Sequence, residues 1–126
     1  MIVSKSLRTW FLIHFIVDSI VAVPLFLFPV ETLTLLGWTN IDPIATRLVA
    51  AALFGIGGIS FVAVKAEVAT YKHLLLLKII WSITAIIGIF LSIIQYNTSK
   101  SSIFVILIFA FFSCIWVRYY FKLKNL

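Results

Sequence analysis

Residues 9–28 read TWFLIHFIVDSIVAVPLFLF, and this stretch decides the fold class. Only His14 and Asp18 can ionise in it. About 20 mostly apolar residues is the length a helix needs to cross a hydrocarbon layer about 30 Å thick. Lys5 and Arg8 precede the stretch, as they would a signal peptide. However, the apolar run exceeds an h-region of about 7–15 residues, and Asp18 interrupts it. No small-x-small cleavage site leads into polar sequence; Pro24, Phe26, Phe28 and Pro29 follow instead. The stretch reads as a retained membrane helix, kinked at Pro24 and ended at Pro29.

Three further stretches of the same kind follow, at 44–64, 74–94 and 103–120. The expected fold is therefore all-α: one polytopic membrane domain over 1–126, with four transmembrane helices in a bundle. Between the first two spans, residues 30–42 mix Leu33, Leu35, Leu36 and Trp38 with Glu31, Thr32 and Thr34. Such a segment suits the interface, with Trp38 at headgroup depth. Asp42-Pro43 is a helix start, the carboxylate capping free amides and proline taking the first helical position. A short loop of mixed charge spans 65–71. The most polar stretch, QYNTSKSS at 95–102, offers Ser102 as cap for the last span.

Composition agrees. Of 126 residues, 63% are hydrophobic and 11% charged, against about 45–50% and about 25% in a soluble domain. So small a globule could not bury that much apolar surface, and a disordered chain would be poor in it. One cysteine, Cys114, allows neither an internal disulfide nor a CxxC redox pair. The ten Lys and Arg are spread singly, so no nucleic-acid partner is expected. Membrane lipids are the expected partners. There is no Gly-rich phosphate loop, HExxH or GxSxG, and only four acidic residues.

The positive residues are distributed unevenly. Lys5, Arg8, Lys65, Lys72, Lys78, Arg118, Lys122 and Lys124 fall towards one face, leaving Arg47 and Lys100 on the other with Glu31 and Asp42. Lys and Arg accumulate on the cytoplasmic side. The expectation is a plasma-membrane protein with both termini in the cytoplasm.

Two spans carry stripes of small or polar residues. In ATRLVAAALFGIGGIS, residues 45–60, Ala51, Gly55 and Gly58 share a stripe, with Arg47 one turn above Ala51. Small residues let helices approach closely in lipid, so this reads as a helix-packing seam, or as room for a substrate or ion. The third span has Lys78, Ser82, Ala85, Gly88 or Ile89, and Ser92 on one side. The fourth is apolar nearly all round, suited to lipid or to an oligomer contact. Cys114 in it reads as a small hydrophobe, and Trp116, Tyr119 and Tyr120 as an interfacial anchor.

The informative intramembrane polar residues are Asp18, His14, Lys78 and Arg47. Asp18 lies roughly 15 Å beyond Arg8 at 1.5 Å per residue, close to the bilayer centre. A carboxylate there costs about 2.5–3.5 kcal/mol on insertion scales. It should face the protein interior and have a partner. His14 is four residues earlier, on the same helix face. Lys78 enters the third span at about the depth of His14, to reach towards Asp18 or to snorkel back to the interface. Together these residues could line a polar path, with Arg47 above. They could equally hold helices in register, Asp18 bonded to Ser82, Ser60 or a backbone carbonyl, and Arg47 paired with Asp42 or Glu31. Burial favours a neutral carboxyl and a nearby cation favours a charged one, the competition a proton-exchanging group needs. His73 lies at the membrane surface, so bis-histidine haem is not expected. No metal or cofactor is expected.

In length and span number the chain is similar to small multidrug-resistance exporters and small fluoride channels. IHFIVDSIVAVP around Asp18 does not match the exporters' glutamate motif, and no span has the fluoride channels' Gly-rich run into Arg. No family is assigned. The leading expectation is an oligomeric transporter or channel for a small solute or ion, using Asp18 with His14, Lys78 and Arg47. The alternative is a non-catalytic membrane subunit or lipophilic-ligand module whose polar residues serve packing. A membrane enzyme ranks last, with only His14 and Asp18 as acid/base material.

Overall fold

A computed structural model describes residues 2–125. Those residues are helical with short connections, and no strand occurs among them. Four helices are long and apolar enough to cross a membrane. The described residues form two compact units, residues 3–66 and residues 67–125 with Ile2. Each is a helical hairpin.

The first unit contains α1 (Lys5–Leu27), α2 (Pro29–Leu35) and α3 (Pro43–Val62), the last continued by a 3₁₀ turn at Ala63–Lys65. Ser4 starts α1, its hydroxyl accepting from the Leu7 N–H at 3.2 Å. The helix continues through Pro24 and stops at Leu27. Pro29 does more than end it: Pro29 takes the first helical position of α2, where a missing N–H costs nothing. The Pro24 carbonyl accepts from the Phe28 N–H at 2.8 Å and from Thr32 Oγ1 at 3.1 Å, tying the two helices together.

Helix α2 ends in a Schellman turn. The Trp38 N–H reaches Leu33 O and the Gly37 N–H reaches Thr34 O, the paired pattern that satisfies a helix's last carbonyls. Gly37 holds a φ of 81° there, a region glycine enters without a Cβ penalty. Asp42 then caps α3 as expected, its Oδ1 accepting from Ile44 at 2.8 Å and Ala45 at 3.2 Å.

Helices α1 and α3 pack antiparallel. The buried face of α1 is Leu7, Phe11, His14, Asp18, Ala22 and Leu25, and that of α3 is Thr46, Ala50, Leu53, Gly57 and Ser60. Both recur every three or four residues, the spacing of a narrow helix–helix seam. Phe15 meets Phe61 at 5.0 Å between ring centroids, and Phe26 meets Phe54 edge-on at 5.9 Å.

The second unit pairs α4 (Val68–Gln95) with α5 (Ser101–Lys124). The buried stripe of α4 is Tyr71, Leu75, Lys78 and Ser82. Helix α5 buries Ser102, Phe112, Ser113, Trp116 and Leu123. Ser102 therefore lies inside the helix, not at its cap. The N-cap position falls on Lys100, without a side-chain cap, and just before it the Ser99 hydroxyl accepts from the Ser101 N–H at 3.3 Å. Trp81 packs edge-on against Phe109 at 6.2 Å.

Candidate functional site

The buried face of α1 is apolar except at His14 and Asp18. One turn separates them, so both project from the same side of the helix. His14 Nδ1 lies 3.2 Å from Asp18 Oδ2, and the residues are only 7% and 6% exposed. Imidazole and carboxyl can each take up or release a proton, and here the two stand in close contact. The pair places two ionisable groups side by side on a long apolar helix.

Across the seam, α3 presents Gly57. A Cβ built on Gly57 would lie 2.7 Å from Asp18 Cβ, 3.0 Å from Oδ2 and 3.3 Å from Cγ. These distances are below van der Waals contact, so any larger residue at 57 would displace the Asp18 side chain or part the helices. The missing side chain of Gly57 is the space Asp18 occupies. Ser60, one turn further along α3, is buried and donates to its own helix at Ile56 O, 2.7 Å away.

The stripe expected from sequence faces elsewhere. Ala51 and Gly55 are exposed, and a Cβ at Gly55 or Gly58 would meet nothing within 4 Å. The α1–α3 seam runs one residue out of step with that stripe, through Ala50, Leu53 and Gly57. The signal for Gly57 was present in the GIGG run at 55–58. Choosing among its glycines required knowing which side of α3 meets α1.

Arg47 is exposed and does not join His14 and Asp18. Its Nε donates to Phe26 O at 3.0 Å, eight residues beyond Asp18 and so about 12 Å along the helix. Phe26 O is among the last carbonyls of α1, where a cation both satisfies an acceptor and opposes the negative helix end. Neither Asp42, which caps its own helix, nor Glu31 is needed to explain the position of Arg47.

Lys78 belongs to the second unit and is 1% exposed. Its Nζ stands 5.1 Å from the ring centroid of Trp116, and that ring stacks on Phe112 at 5.8 Å. The side chain is buried against that ring instead of snorkelling outwards. Trp116 is likewise 1% exposed, so it is a core residue, unlike the half-buried Tyr119 and Tyr120. From sequence alone all three fit an interfacial anchor. An aromatic face over a desolvated ammonium is favourable by about 2 kcal/mol, which explains why this tryptophan turns inward.

Among the described residues no cluster of three or more His, Cys, Asp or Glu is arranged to hold a metal. His73 is exposed, with Nδ1 2.9 Å from Ala69 O. Comparison with protein-family models, curated proteins and solved structures gives no match.

Proposed function

We propose that this chain is a small integral membrane protein that moves protons, or a small solute or ion coupled to them, with His14 and Asp18 as the proton-exchanging pair. One observation carries this reading: an ionisable carboxyl and an imidazole, both buried, stand 3.2 Å apart on an apolar spanning helix. Ionisable groups at membrane depth are expensive and mark ion and proton pathways in membrane proteins. Imidazole is the usual proton-shuttling side chain, and the carboxyl beside it offers the proton a second position. Four short helices enclose little room, which favours an oligomer with its path between copies. The uneven Lys and Arg distribution favours cytoplasmic termini in a plasma membrane.

The Gly57 contact favours a second reading, in which Asp18 fills a notch between helices and the chain is a non-catalytic membrane subunit or lipophilic-ligand module. Asp18→Asn and Asp18→Leu separate the two. Asn keeps size and hydrogen bonding but cannot ionise, whereas Leu also loses the polar contact. In proteoliposomes under a pH gradient, the proton reading expects Asp18→Asn to abolish dye-reported proton flux while thermal stability is kept. Wild-type flux no greater than in empty liposomes, or equal flux in the Asn variant, overturns it. The packing reading expects Asp18→Leu alone to lower the thermal midpoint.

A further inference from the structure

Along one side of α5 runs a shallow, open groove of about 450 Å³. Small Ala110 and Cys114 leave a hollow beside Leu107, Phe111 and Ile115, and Arg118 closes one end. Leu107 and Phe111 are more than half exposed, and Cys114 is exposed too. The groove is apolar along its length and cationic at its tip.

Its dimensions match one leaflet. From Leu107 to Arg118 the helix rises about 16 Å, and half of a hydrocarbon layer about 30 Å thick is about 15 Å. Arg118 follows the apolar run of α5, where a guanidinium reaches headgroup depth. Lys122, one turn further on the same face, stands over the Tyr119 ring with Nζ 5.6 Å from its centroid. An occupant with a hydrocarbon chain one leaflet long and an anionic head fits both ends of the groove. Guanidinium binds phosphate with paired N–H donors, better than a point charge does.

We propose that this face of α5 is a binding site for an anionic phospholipid, its acyl chain along the hollow and its phosphate on Arg118. The site is independent of the proton reading, since it uses no residue of the first unit.

The test reconstitutes the full-length protein in phosphatidylcholine nanodiscs and adds spin-labelled phosphatidylglycerol or spin-labelled phosphatidylcholine. The immobilised fraction of each label is read by electron paramagnetic resonance. Wild type should prefer the anionic label about fivefold, the contribution of one surface cation. Arg118→Gln should bring the two labels to parity. Ala110→Phe, which fills the hollow but keeps the cation, should also lower the preference, whereas Lys124→Gln, on another side of α5, should leave it. Equal binding of both labels by wild type overturns the proposal, as does an unchanged preference in Arg118→Gln or Ala110→Phe. An equal loss in Lys124→Gln overturns it by showing diffuse charge. Loss of label contact with oxidative Cys114–Cys114 cross-linking overturns it by showing that a second copy covers the face.

Discussion

Asp18 and Gly57 share one volume, and the consequence is sharply local. Methyl groups at Gly57 and Gly58 are chemically identical, but the first meets Asp18 at 2.7 Å and the second meets nothing within 4 Å. Overpacking a close contact costs about 1–3 kcal/mol. Gly57→Ala should therefore lower the thermal midpoint in detergent and perturb proton flux, while Gly58→Ala, relieved of glycine's backbone entropy, should show no loss. A scan of both variants by thermal unfolding checks this; equal effects would mean that Asp18 is not seated at Gly57. At this scale the sequence revealed much of the site. His14 and Asp18 are four apart in an apolar run, and helix geometry alone puts them on one face. Gly57 was not distinguishable from its neighbours in GIGG.

At the scale of elements, the period of each seam was legible and its phase was not. Ala51, Gly55 and Gly58 recur at the same three-and-four spacing as the buried Ala50, Leu53, Gly57 and Ser60. One residue turns a helix by about 100°, enough to exchange one face for another. A soluble helix declares its buried face by polarity, but α3 is apolar nearly all round, so no polar face sets its phase. The contacts of Arg47 and Lys78 were illegible for a related reason: Phe26 O and Trp116 lie on other helices. Arg47→Gln should weaken the end of α1 by about 1 kcal/mol, seen as faster hydrogen exchange around residues 24–28 with the α3 amides unchanged. Lys78 and Trp116 should couple by about 1–2 kcal/mol in a double-mutant cycle with Lys78→Met and Trp116→Leu, measured by unfolding in detergent. Additive losses would show that the ring and the ammonium do not interact.

For the whole molecule, charge placement leads to a prediction about topology. If the positive residues orient the spans, a reporter fused after residue 126 should be active only in the cytoplasm, and one inserted at 96–100 only outside. Reporter activity on the opposite sides would refute the orientation. Membrane character, the four long apolar helices and the Asp42-Pro43 start of α3 were determined by the sequence alone. The physical reason is that a bilayer leaves a spanning backbone few choices but a helix, and Pro, Gly and Asp42 mark the boundaries by local chemistry. Only the tertiary structure decided which side of each helix is inward. It put Gly57 behind Asp18, Trp116 over Lys78 and Arg47 on the end of α1. In lipid, apolar surface gains nothing by turning inward, so close packing between particular side chains selects the buried face, and hydropathy does not record it.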